Sequence, residues 1–361
     1  SINAIGLLIG GLLIPVFGLM MIGDGSLLDG LSILTTENPE KFKSMGGPTD
    51  PVPFYTIFTG MMLVQLFYWG TNQQIIQRAL GAKDLKEGQK GLLLASFIKI
   101  LGPIIVVLPG IIAFHLFQGN LESADSAYPM LVRKVLPTAW VGFFAAVLFG
   151  AILSSFNSVL NSSVTLFGID VYKQHINKEA DEKTIVKYGK IFGVVLAIAS
   201  MFIAPLIANA GSLFDYLQEI NGIYSIPILT IIVVGYLTKR VPAIAAKIGL
   251  ASGCLLYITS QFFMQPYFVS KALELAKDAG ITDEAALALI EAQAYPHFLD
   301  VMAILFIMNV VIMLIIGKLY PRKEPFVQEH TKQVDITPWK YTTQVGVAIC
   351  LIVIAIYIYF A

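Results

Sequence analysis

Nine apolar stretches, each long enough to cross a lipid bilayer as a helix, dominate this chain. They are residues 3–22, 53–78, 89–117, 139–169, 188–210, 222–238, 243–263, 298–319 and 342–360. A hydrocarbon layer of about 30 Å needs about 20 residues of helix, and a water-soluble fold has no use for nine such segments. Charge content agrees. Of 361 residues, 56% are hydrophobic and 13% charged, whereas soluble domains carry roughly a quarter charged residues. The expected fold class is therefore an all-α integral membrane protein of about nine transmembrane helices.

The loops predict the orientation. The second, fourth, sixth and eighth carry Arg78, Lys83, Lys86 and Lys90; Lys173, Lys178, Lys183 and Lys187; Lys239 and Arg240; and Lys318, Arg322, Lys323 and Lys332. The odd loops hold fewer basic residues, and the fifth holds none. Short loops rich in Lys and Arg stay cytoplasmic. The expectation is a multi-pass protein of the cell membrane with its start in the cytoplasm and its C-terminus outside. Of the two long outer loops, 23–52 is rich in Gly, Pro and charge. The other, 264–297, predicts a surface helix from Ser270 to Ala279 stopped by Gly280, and a second helix from Asp283.

Several function classes fall away. Basic and acidic residues number 24 each, so no net charge draws nucleic acid. Cys254 and Cys350 stand far apart in apolar runs and read as small hydrophobes, with neither a disulfide nor a metal pattern. His175, His297 and His330 lie in loops and His115 at a span end, which argues against haem and against a subunit of a membrane redox complex. Ser1 leads into an apolar run with no basic segment and no clear cleavage site, so the run does not read as a signal peptide. The chain is expected to be cut from a longer one.

Four places could carry chemistry. Lys99 is the only ionisable residue near the middle of a span, and a cation there costs a few kcal/mol unless it faces a polar cavity or a partner. Gly102-Pro103 just beyond it weakens the helix. A lysine that snorkels to the interface is the alternative. In the fourth span, Ala151, Ser154, Ser155, Ser158 and Ser162 recur at helical spacing on one face. Hydroxyl and carbonyl oxygens suit a hard cation such as Na⁺; small polar residues are also ordinary packing glue between membrane helices. In the second span, Gln65, Tyr68, Trp69 and Asn72 follow i, i+3, i+4, i+7. Amides with aromatic rings suit a sugar, and an interfacial aromatic belt is the alternative. Gly70 marks a possible break in that helix. Before the sixth span, in Phe214-Asp-Tyr-Leu-Gln-Glu-Ile-Asn-Gly222, Gln218 is the amide expected to reach a cavity, with a solvated helix entry as the alternative.

Taken together, these segments resemble the solute:sodium symporter family, in particular its sodium/glucose cotransporter branch. The resemblance rests on Phe67-Tyr-Trp-Gly-Thr-Asn-Gln with Ile-Gln-Arg78, on Ala151 to Tyr172, and on Gln218-Glu-Ile-Asn-Gly-Ile-Tyr-Ser-Ile-Pro227. It implies an inverted-repeat fold of five plus five helices working by alternating access. Residues 1–22 would be the last helix of the first repeat, 53–238 the second repeat, and 243–361 three additional helices. It also implies a gate at Tyr68 and Trp69, sugar contacts from Gln65, Tyr68, Lys99 and Gln218, and sodium ligands at the Ala151 carbonyl, Ser154 and Ser155. The implied activity is sodium-coupled transport of a hexose, galactose or glucose, with no enzyme chemistry. The solute, the co-transported sodium ion and the bilayer are the implied partners, and a homodimer stays open. Symport of another small solute, such as an amino acid, a vitamin or a sugar acid, is the in-class rival. The sequence departs from the branch in two ways. Gln65 stands where a galactose transporter has Asn, and the initial helices of the first repeat are absent. The expectation is that the polypeptide as written holds half a sodium site and does not transport alone.

Overall fold

A computed structural model describes residues 2–50, 52–118, 120–121, 124–207, 213–327 and 334–361. His330 and Lys332 lie outside the described residues. The chain runs through α1 (Ile2–Ile22), α2 (Leu27–Glu37), α3 (Gly60–Gly70), α4 (Gln73–Leu80), α5 (Leu85–Lys99), α6 (Leu108–Phe117), α7 (Ala127–Val135) and α8 (Thr138–Leu166). It continues with α9 (Glu182–Ile207), α10 (Leu213–Leu237), α11 (Ala243–Thr259), α12 (Gln265–Asp278), α13 (Glu284–Ala294), α14 (Phe298–Leu319) and α15 (Thr342–Tyr359).

Among the described residues, eight continuous helical segments are long and apolar enough to cross a membrane. The ninth apolar stretch, 53–78, is helical in pieces: a 3₁₀ turn over Phe54–Phe58, then α3, then α4. The break comes at Thr71 and Asn72, one step past Gly70. The Thr71 hydroxyl donates to the Phe67 carbonyl (2.8 Å) and Asn72 Oδ1 accepts from the Gln74 N–H (3.0 Å). Such local side-chain bonds compete with the helical ladder.

Of three π-helical segments among the described residues, Phe167–Ile176 extends α8 and the other two link helices within a span. Pro103–Val107 joins α5 to α6, and Ser260–Met264 joins α11 to α12. Each is followed at once by a residue and a proline, Leu108-Pro109 and Gln265-Pro266. Proline has no N–H for the ladder, and the wider turn accommodates the missing bond. The helix expected from Ser270 is thus the continuation of the seventh span, running from Gln265 to Asp278. It ends before Gly280, whose φ of +77° suits only glycine comfortably. The helix after Asp283 forms as expected, and the Asp283 carboxylate accepts from the Ala286 N–H at 2.9 Å.

The helices divide into two compact units. The first comprises Ser1–Lys43, Gln77–Leu213 and Ile336–Ala361. Within it α1 lies against α2, α6, α7 and α8, α8 against α9, and α5 against α15. Its core gathers Ile14, Leu34, Ile112, Leu131 and Phe144. The second comprises Ser44–Ile76 and Phe214–Asp335. Here α14 packs against α3 and α11, around Val64, Ile226, Tyr257, Leu299 and Met302. Gly253 permits one of the close approaches: a Cβ there would stand 2.3 Å from Asn309 Nδ2 and 2.6 Å from Pro227 Cγ. Large apolar side chains such as Phe97, Val106, Leu351 and Tyr359 are exposed. They are the surface that hydrocarbon covers in a multi-pass membrane protein.

Candidate functional site

The polar run of α8 is helical throughout, from Thr138 to Leu166. Most of its hydroxyls are turned onto their own helix. Ser158 donates to the Ser154 carbonyl (2.9 Å), Ser162 to the Ser158 carbonyl (2.9 Å), Ser163 to Val159 (3.0 Å) and Thr165 to Asn161 (2.8 Å). This satisfies a polar group without a partner helix. Ser154 and Ser155 differ. Among the described residues neither side chain has a hydrogen bond, and both residues are exposed. Their hydroxyls are among the side-chain oxygens this helix leaves available to a ligand. Ala151 stands one turn before Ser155.

An open depression of about 570 Å³ runs along this part of α8, with Ser154, Asn157, Ser158 and Asn161 among its lining residues. Two side chains from α4 reach the same helix. Arg78 donates through Nη2 to the Ser158 hydroxyl, and Gln77 Oε1 accepts from the Ser162 hydroxyl at 3.1 Å. Gln77, Arg78, Asn157 and Asn161 stand within the segments that carry the family resemblance, but the sequence singles out none of them as a site residue. The asparagines were findable, because they repeat at i, i+4 beside Ser154 and Ser158. The α4 contacts were not, because they depend on where α4 packs. Lys99, also in the first unit, is the last residue of α5 and is exposed, immediately before the turn that leads into the π segment.

In the second unit, α3 carries three of the expected residues. The Trp69 indole Nε1–H donates to Gln65 Oε1 at 3.0 Å, and the Tyr68 and Trp69 rings meet edge to face with centroids 5.3 Å apart. The i, i+4 spacing of Gln65 and Trp69 allows the bond. Asn72 does not share this face, since the helix has broken and its side chain caps α4 instead. Phe67, on the buried side of α3, meets Tyr224 of α10 edge to face at 5.9 Å. Gln218 stands half-buried on that same α10. Among the described residues no hydrogen bond joins it to Gln65 or Tyr68. The structure thus places Gln65, Tyr68 and Trp69 on α3, Gln218 on α10, whose Tyr224 ring meets Phe67 of α3, and Ala151, Ser154 and Ser155 on α8. Aromatic rings with amides can hold a polyhydroxylated ring, and unbonded hydroxyls can hold a hard cation.

Comparison with known proteins gives these groups a context. A family model described as the sodium:solute symporter family matches residues 1–253. An Escherichia coli (strain K12) protein described as the uncharacterized symporter YidK is 45% identical over 358 residues, covering 99% of this chain and 58% of that protein. The sodium/glucose cotransporter of Vibrio parahaemolyticus is 34% identical over 269 residues, covering 68% of this chain and 49% of the relative. The Homo sapiens sodium/myo-inositol cotransporter 2 is 33% identical over 226 residues, covering 58% and 33%. The chain therefore spans about half the length of the curated relatives it matches.

Proposed function

Because this chain belongs to the sodium:solute symporter family, we propose that it serves sodium-coupled transport of a hexose, galactose or glucose, by alternating access across the cell membrane. The supporting observation is the Gln65–Trp69 pair with the Tyr68 ring set against it. It presents an amide beside flat apolar faces, the combination that sugar hydroxyls and ring carbons require. Two relatives carry the names of cotransporters for glucose and myo-inositol, both six-membered polyhydroxylated rings, so a cyclic polyol is the second reading.

In this mechanism Na⁺ sits on the Ala151 carbonyl and the Ser154 and Ser155 hydroxyls of α8. The family resemblance assigns solute contacts to Gln65, Tyr68, Lys99 and Gln218, and the gate to Tyr68 and Trp69. The residue 1–22 helix closes one inverted repeat, 53–238 forms the second, and 243–361 adds three helices. The start of the chain is cytoplasmic by the lysine bias of its loops. Loss of sodium to the cytoplasm releases the solute. Coupling is thermodynamic: each ion entering down about 100 mV supplies about 2.3 kcal/mol. No covalent step is involved. The test is hexose uptake by the full-length protein in liposomes. Uptake driven by a sodium gradient and lost in choline medium is the expected result. Equal uptake in both media rejects the coupling, and sodium-driven uptake of an amino acid in preference to any hexose or polyol rejects the solute class.

A further inference from the structure

The first unit carries an apolar groove between α5 and α15 that plays no part in the proposed transport mechanism. Its volume is about 350 Å³. Leu94 and Phe97 line it from α5, and Ala348 and Ile352 from α15, with Lys90 and Trp339 at one end. Lys90, Leu94 and Phe97 follow i, i+4, i+7, and Ala348 and Ile352 follow i, i+4, so each helix gives one continuous strip to the groove.

At the lysine-bearing end the two sides of the groove are tied together. Gln89 Oε1 accepts both the Trp339 backbone N–H (2.7 Å) and the Thr342 hydroxyl (2.9 Å). These bonds pin the segment before α15 to the first turns of α5. Trp339 and Tyr341 meet edge to face at 5.7 Å, and the Lys340 ammonium lies 4.7 Å from the Tyr341 ring centroid. Trp and Tyr beside lysines, at the start of two apolar helices, are the residues of a membrane's headgroup layer. The groove below them therefore lies at acyl-chain depth.

Charge identifies the occupant. Lys83, Lys86 and Lys90 fall at the start of α5 and Lys340 two residues before α15, against Asp84 and Glu87. Asp84 is committed to capping α5, its Oδ1 accepting from the Glu87 N–H at 2.8 Å. Lys90 pairs with Glu87 at 2.7 Å, but both side chains are substantially exposed, and such a pair is weak enough for an anionic group to compete with it. The local surplus is positive, as is the N-terminus of α5.

We propose that this groove is a binding site for one anionic phospholipid of the membrane: an acyl chain fills the channel between Phe97 and Ile352, and the phosphate lies between Lys90 and Lys340 beside the Trp339 indole. The lipid bridges α5, the helix that carries Lys99, to α15, and so holds α15 against α5.

Native mass spectrometry of the purified full chain tests the site, after exchange from nanodiscs of mixed phosphatidylglycerol and phosphatidylcholine. The expected result is one retained phosphatidylglycerol in preference to phosphatidylcholine. Loss of either lysine should weaken that preference about fivefold, since each basic side chain near a membrane surface contributes of that order. Lys90→Gln and Lys340→Gln probe the charge, and Ala348→Phe fills the channel without touching it. Lys173→Gln, in another basic loop, should change nothing. Circular dichroism on every variant separates lost lipid from lost fold, and the charge variants stand as a test even where Ala348→Phe fails to fold. Equal retention of the two lipids overturns the proposal. So does phosphatidylglycerol retention unchanged by Lys90→Gln and Lys340→Gln, or a dimer of this chain with no retained lipid.

Discussion

Arg78, near the end of α4, donates through Nη2 to the hydroxyl of Ser158 in the middle of α8. Ser158 in turn donates to the carbonyl of Ser154, one of the two serines whose hydroxyls the helix leaves unbonded. A guanidinium thus stands one helical turn from the proposed sodium ligands, at the edge of the depression that Ser154, Asn157 and Asn161 line.

A fixed positive charge so near a cation site opposes cation binding. Arg78→Gln should therefore lower the half-saturating sodium concentration of transport, by roughly tenfold or more for charges separated by about a turn or two of helix near a protein surface. Sodium titration of uptake in liposomes checks the sign; a raised sodium requirement would mean that Arg78 acts by positioning Ser158 and not by its charge.

The serines of α8 should divide into two classes. Ser154→Ala and Ser155→Ala each remove a hydroxyl that nothing else uses, and should raise the half-saturating sodium concentration about tenfold, as expected when a group bound to a charge is lost. Ser163→Ala, whose hydroxyl is turned back on the helix, should leave it unchanged. The same sodium titration reads all three.

Lys99 is one of the proposed solute contacts. Lys99→Ala should weaken hexose binding at least about tenfold, the scale of a lost charged hydrogen bond, while leaving thermal unfolding in detergent within a few degrees of the parent. Equilibrium binding of labelled hexose to the full-length protein is the measurement. Unchanged affinity removes Lys99 from the site.

Two glycines should respond in opposite senses. Gly253→Ala drives a methyl into Asn309 Nδ2 and Pro227 Cγ, and should lower stability by about 1–3 kcal/mol, the ordinary cost of overpacking. Gly110 in α6 has nothing within 4 Å of an added Cβ, so Gly110→Ala should be neutral or stabilising by up to about 1 kcal/mol. Thermal denaturation of the two variants in one detergent compares them directly.

Much of the fold was legible because its signals are local. Apolar stretches fall where helices form, Asp283 caps the helix it precedes, and Gly280 follows the helix it was expected to stop. The second span was harder. Its apolar length says one helix, but Thr71 and Asn72 bond to nearby backbone and divide it, so Asn72 leaves the face it shares on a helical wheel. The site was half legible. Helical period put Ser154 and Ser155 on one face with Ser158 and Ser162, yet could not say that the second pair would be consumed by back-bonding and by α4. Asn309 gave no warning either. It reads as one polar residue in an apolar run, and it is fully buried, its Oδ1 held by Ser252 at 3.2 Å.

Hydropathy and helical period act over one or a few turns, so the chain's residues alone mark a multi-pass membrane protein, the segments long and apolar enough to cross a bilayer, and the helix that carries a polar face. Only the tertiary structure decided which of those polar groups remain available. Arg78 and Ser158 are 80 residues apart, and Gln89 and Trp339 are 250. Whether such pairs meet depends on how helices pack, and no local signal in the chain encodes that.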